Sequence, residues 1–158
     1  MATHRQRHGG DKPLQGHEAM PEALRVRVAF ADTDAMGVAW HGSYLRWFEM
    51  ARTELLRPTA LPYAKLVERG LHLPVIEALV RYRRPARYDD LLVVRTATSR
   101  TGGVRLRIDY RVECDGELIA EGYTEHAFTD AEGRVRRPPP DVREIFARLA
   151  GAHQPDKR

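Results

Sequence analysis

The stretch Phe30-Ala31-Asp32-Thr33-Asp34-Ala35-Met36-Gly37-Val38-Ala39-Trp40-His41-Gly42-Ser43-Tyr44 is where the periodicity of this chain changes. Residues 24–30, Leu-Arg-Val-Arg-Val-Ala-Phe, set branched side chains on alternate positions, the pattern of a strand. From Tyr44 onward the apolar residues recur at intervals of three and four, the pattern of a helix. Asp34 therefore falls in the bend, a few residues before a helix N-terminus. Unpaired backbone N–H groups and the positive end of the helix dipole gather at such a terminus. A carboxylate beside those donors suits hydrolysis of an activated acyl group, because charge developing on the substrate oxygen meets donors already in place.

The helix expected over residues 44–57 sets Tyr44, Trp47, Phe48, Ala51 and Leu55 on one stripe, widened by Leu45 and Leu56. Arg46, Glu49, Thr53 and Arg57 leave only a narrow polar strip, so most of the circumference is expected to be buried, as in a helix around which a sheet curls. Ser43 is the expected N-cap, and Pro58 and Pro62 stop the helix. A short second helix over 63–70 ends at Gly70, and strands follow over 73–83, 90–100, 104–114 and 117–128. In the third of these Arg105, Arg107, Asp109, Arg111 and Glu113 alternate with Leu106, Ile108, Tyr110, Val112 and Cys114, one face wet and one buried. Gly102-Gly103 and Asp115-Gly116 read as hairpin turns, making consecutive strands antiparallel neighbours. Pro138-Pro139-Pro140 ends the sheet, and residues 142–149 form a last helix. The class is α+β, one long helix with an antiparallel sheet of about five strands.

A chain of 158 residues, 42% of them hydrophobic, supplies one full core rather than two. A single domain over 21–150 is expected, with disordered tails at 1–20 and 151–158. The 26 basic and 22 acidic residues are interspersed, which fits a small anionic ligand better than nucleic acid. Cys114 stands alone, which excludes an internal disulfide and a thiolate metal cluster and suits a reducing compartment. The first twenty residues lack an apolar leader segment and no apolar run approaches the ~20 residues of a membrane span, so the expected location is cytoplasmic. No P-loop, GxGxxG, GxSxG or metal-spaced Cys/His set occurs, and His4, His8 and His17 in the tail are given no metal role.

The run Asp-Thr-Asp-Ala-Met-Gly-Val-Ala-Trp-His-Gly-Ser-Tyr-Leu-Arg-Trp-Phe-Glu-Met-Ala-Arg at the junction, with the later Tyr82-Arg83-Arg84-Pro85-Ala86-Arg87-Tyr88-Asp89-Asp90, resembles the hotdog-fold 4-hydroxybenzoyl-CoA thioesterase family and its bacterial acyl-CoA thioesterase branch. The resemblance implies a hotdog fold and cleavage of acyl-CoA to free acid and coenzyme A. It implies that Asp34 is the catalytic carboxylate, as nucleophile or as general base, that Asp32 is structural, and that the backbone N–H of His41 polarises the thioester carbonyl. The His41 side chain either orients reacting groups or packs at the helix start. Met36 stands where the family often has a small residue, and Ser43 where asparagine is frequent.

Gly37, Trp40 and Tyr44 are the substrate-binding residues expected in the bend, and Arg84, Arg87, Arg136 and Arg137 those expected near the coenzyme A phosphates. No cofactor is implied, since coenzyme A is part of the substrate, and no metal. Glu54 and Glu77 are alternative carboxylates. A hotdog enoyl-CoA hydratase would need an Asp-x4-His spacing, whereas six residues separate Asp34 from His41. A non-catalytic acyl-CoA-binding module would not need Asp34. One helix cannot cover both edges of a five-stranded sheet, so a homodimer or homotetramer is expected, and the resemblance implies that the site lies between subunits.

Overall fold

The computed structural model describes residues 20–151; the expected tails lie outside them except for Met20, which is buried, and Gly151, which ends the last helix. The order is β1 (Glu22–Arg27), a 3-10 turn (Phe30–Asp32), α1 (Ser43–Leu56), α2 (Tyr63–Glu68), β2 (Val75–Tyr82), β3 (Leu91–Gly102), β4 (Arg105–Cys114), β5 (Glu117–Ala127) and α3 (Pro140–Gly151). Among the described residues one antiparallel sheet forms, in the order β1-β3-β4-β5-β2. The α+β expectation holds. Tight turns make β3, β4 and β5 consecutive neighbours, and Asp115 and Gly116 both adopt the positive φ such a turn needs. β2 instead lies at the far edge beside β5. The chain from Tyr82 to Leu91 must therefore cross three strand spacings, roughly 14 Å, over the end of the sheet. That crossing brings the second quoted stretch against the bend, where the Ala39 N–H donates to the Ala86 carbonyl at 2.8 Å.

The sheet curls around α1 as the apolar stripe requires. Trp47, Phe48 and Ala51 are fully buried, and Phe48 stacks on Tyr110 of β4 with ring centroids 4.1 Å apart. Each large side chain so buried stabilises by about 1.5–3 kcal/mol. Gly122 of β5 is the point of closest approach: a Cβ there would sit 2.0 Å from the Leu79 carbonyl oxygen and 3.2 Å from the Phe48 ring. The stripe is narrower than expected. Leu56 is buried, but Leu55 is only partly so and Leu45 is exposed, because both sit at the margin of the face that meets the sheet. The expected Ser43 cap is also corrected: Gly42 occupies the cap position with no side-chain cap, and the Ser43 hydroxyl donates instead to the Asp32 carbonyl at 3.0 Å.

A polar chain runs through the core. His126 Nδ1 lies 2.9 Å from the Leu73 carbonyl, which can only accept, so Nδ1 carries the proton and Nε2 accepts from the Thr124 hydroxyl at 2.7 Å. Thr124 in turn accepts from Tyr110 at 2.9 Å. Burial, with Arg52 beside the ring, pushes the His126 pKa down to about 4. Burial pushes Tyr110 up to about 12. The outward side chains of β4 form ion pairs, Arg107 with Asp109 and Arg111 with Glu113, as the alternation predicts. No helix among the described residues is long and apolar enough to cross a membrane.

Candidate active site

The bend is braced from inside by Asp32. Its carboxylate accepts the Ala29 N–H at 2.9 Å and pairs with Arg46 from α1, while its carbonyl accepts the Trp40 N–H at 2.7 Å. Only 4% of Asp32 is exposed. Asp34 faces the other way. It opens a tight turn in which the Gly37 N–H returns to the Asp34 carbonyl at 3.0 Å and the Asp34 side chain accepts the Met36 N–H at 2.8 Å. Gly37 closes that turn at φ +74, a conformation costly for any residue with a Cβ. One Asp34 carboxylate oxygen is thus oriented by its own backbone, while the other has no hydrogen-bond partner among the described residues.

Asp34 and His41 line one hollow of about 320 Å³ together with Met36, Tyr44, Tyr82 and Arg84. His41 is the second residue before α1, and its ring packs against the Trp40 ring at 4.8 Å. The Trp40 ring also covers Gly42, where a Cβ would lie 2.2 Å from it. The Trp40 carbonyl accepts the Ser43 N–H at 2.9 Å, and the His41 carbonyl accepts the Tyr82 hydroxyl at 2.8 Å. Among the described residues, the N–H groups of His41 and Gly42 have no acceptor. A free peptide donor on His41 at a helix start, a carboxylate lining the same hollow and an apolar wall are what acyl transfer to water needs.

Residues 28–146 match the family described as the Thioesterase-like superfamily. The chain belongs to that superfamily. Among its relatives, the acyl-CoA thioesterase YbgC of Haemophilus influenzae is 33% identical over 127 residues, covering 78% of this chain and 93% of that protein. The crystal structure of the hypothetical protein TT1821 from Thermus thermophilus superposes with a TM-score of 0.78 at 36% identity, over 82% of this chain and 99% of that one. A second Thermus thermophilus structure, a thioesterase complexed with coenzyme A and Zn, gives a TM-score of 0.72 at 28% identity, over 85% and 98%. The fold is the hotdog fold of these thioesterases, and the chain is a thioester hydrolase.

In this thioesterase the site residues expected from sequence are only partly gathered. Asp34, His41, Tyr44 and Arg84 share the hollow, while Gly37 and Trp40 flank it in the bend. Tyr44 is 2% exposed, and its hydroxyl accepts the Ala86 N–H at 3.4 Å, so it presents little more than a ring edge. Arg84 pairs with Glu117 at 2.9 Å on the rim. Arg87 is exposed on the crossing segment; its backbone N–H donates to the Asp90 carboxylate. Arg136 and Arg137 lie elsewhere. The Arg84 N–H donates to the carbonyl of Ile119, at one end of β5, and the Arg136 N–H to that of Phe128, just past the other, roughly 30 Å along the strand.

Two polar residues of the hollow were not singled out in the sequence. Tyr82 and Arg83 both line it, and the Arg83 guanidinium is held by the fully buried Glu121, at 2.5 and 3.1 Å. The available signal was their position at the head of the second quoted stretch. Glu54 is paired with Arg57 on the helix surface and Glu77 with the Tyr123 hydroxyl, and neither lines the hollow. Among the described residues no group of three His, Cys, Asp or Glu side chains converges to hold a metal.

Proposed function

We propose that this thioesterase hydrolyses acyl-coenzyme A with Asp34 as the catalytic carboxylate. The observation that carries the reading is that Asp34 and His41 line one hollow at the open end of α1. The thioester carbonyl oxygen takes the His41 N–H, whose donation strengthens as negative charge builds there. Asp34 then either attacks the carbonyl carbon, expelling the coenzyme A thiolate and leaving a mixed anhydride for water to cleave, or removes a proton from a water that attacks directly. In both routes the products are the free acid and coenzyme A. The acyl-CoA thioesterase name of the Haemophilus relative and the coenzyme A bound in the second Thermus structure support the substrate class. Purified protein offered a panel of acyl-CoA esters, with released thiol detected, tests the reading; no thiol release from any ester would remove it.

The working assembly we propose is a homodimer or homotetramer. β2 is an edge strand whose Val75 and Ile76 are about half exposed, and an unpaired apolar edge is a liability that a second copy removes. The separation of Arg136 and Arg137 from the hollow points the same way: for them to meet the phosphates of a coenzyme A bound there, a partner copy must bring them. Light scattering at micromolar concentration tests this, a stable active monomer being the contrary result.

A further inference from the structure

His41 is held from both sides. A peptide unit is planar and trans, so fixing a carbonyl also fixes the N–H of the next residue, which points the opposite way. The Ser43 N–H holds the Trp40 carbonyl and thereby aims the His41 N–H; that tie belongs to the backbone of the helix start and needs no particular side chain. The second tie is different. The His41 carbonyl, and with it the Gly42 N–H, is fixed by the hydroxyl of Tyr82, which reaches it at 2.8 Å from the last residue of the edge strand β2.

Tyr82 is built to hold this position. Its ring packs edge-on against Tyr44, with centroids 5.0 Å apart, and Tyr44 packs in the same way on the buried Trp47. The residues just after it are tied to the bend and to β5, through Ala39 to the Ala86 carbonyl and through Arg83 and Arg84 to the Ile119 carbonyl. The ring is half exposed; a tyrosine hydroxyl is protonated across the neutral range in any case, and the partial burial raises its pKa further.

We propose that Tyr82 is a positioning residue for thioester cleavage: its hydroxyl, by fixing the His41 carbonyl, restrains the His41 backbone from the side opposite the Ser43 tie and so steadies the residue whose N–H meets the substrate carbonyl. This rests on the assignment of the hollow as the acyl-transfer site. Tyr82 itself donates to protein, not to substrate, so its loss acts on the transition state through His41 and leaves ground-state binding alone.

Tyr82→Phe keeps the ring and its contact with Tyr44 and removes only the hydroxyl. The expected result is a kcat about tenfold lower, the worth of one well-placed hydrogen bond, with KM within about twofold and a melting temperature lower by no more than about 4 °C. In ¹⁵N–¹H spectra the Gly42 amide, whose nitrogen senses a hydrogen bond to the preceding carbonyl, shifts upfield. An unchanged kcat overturns the proposal, whatever the amide does. So does a loss expressed in KM, which would make Tyr82 a binding surface. Wild-type protein inactive on every ester would instead remove the reading on which the proposal rests, an outcome set apart because the Gly42 shift still responds to Tyr82→Phe.

Discussion

Arg46, one turn into α1, closes an ion pair with Asp32, fourteen residues earlier and almost wholly buried. The pair locks the start of the helix to the bend that carries Asp34. Asp32→Asn keeps an oxygen for the Ala29 N–H and loses the charge facing Arg46. The expected cost is about 1–3 kcal/mol of stability, a fall of several degrees in melting temperature, with turnover reduced much less than by a change at Asp34. Thermal melts and steady-state rates on the same preparation check both halves.

Gly122→Ala addresses how the edge strand is held. The added methyl meets a backbone carbonyl at 2.0 Å, and Leu79 cannot yield without breaking the β5–β2 pairing. A destabilisation of about 2 kcal/mol or more is expected, with amide hydrogen exchange accelerated first in β2, since among the described residues β5 is that strand's one neighbour. Uniform acceleration across all five strands would show that the close approach is not where the strain falls.

These two contacts mark what the sequence could and could not reveal. The helix and the β3-β4-β5 meander are legible because a 3.6-residue or two-residue period and a glycine turn are local signals. The place of β2 is not, because the crossing from Tyr82 to Leu91 has no turn that dictates a neighbour. Ser43 looked like a cap because the cap rule is also local, whereas its hydroxyl finds a carbonyl eleven residues back. The Tyr82 hydroxyl meets its partner across forty-one residues, a pairing no period announces. Asp34 and His41 were legible because the bend between strand and helix sits in one continuous stretch. His126 was hidden, a polar residue on the core face whose partners come from three separate segments.

His126 makes stability depend on pH. Burial lowers its folded pKa to about 4 from an ordinary 6.5. Above pH 6.5 the ring is neutral in both states and its contribution is fully present. As pH falls from 6.5 towards 4 the unfolded chain takes up a proton that the folded chain refuses, and stability falls by up to about 1.4 kcal/mol per pH unit. Denaturant titrations between pH 4.5 and 7.5 should show this slope, and a His126→Gln variant should be flatter over that window. Parallel profiles would assign the slope to other groups.

Coenzyme A esters should be hydrolysed in preference to the same acyl group on a short thiol lacking phosphates, and the preference should shrink with salt. Arg84 and Arg87 are exposed cations at or near the hollow, and their attraction to phosphate is screened once the Debye length drops to about 3 Å at 1 M. Specificity constants for the two thioesters at low and high salt measure it. If the oligomer brings Arg136 and Arg137 to the same ligand, reversing their charges lowers the preference as well; equal constants at low salt would remove all four arginines from nucleotide recognition.

The central claim is that Asp34 does the chemistry, and Asp34→Asn tests it most directly. The amide still accepts the Met36 N–H that shapes the turn, so fold and ligand binding should be kept. It is far too weak as nucleophile or base, and kcat on the best thioester should fall on the order of 100-fold or more. The measurement is kcat and melting temperature for wild type, Asp34→Asn and Asp32→Asn side by side. The account predicts that Asp34→Asn loses its turnover and keeps its stability while Asp32→Asn does the reverse; near-wild-type turnover in Asp34→Asn would contradict it.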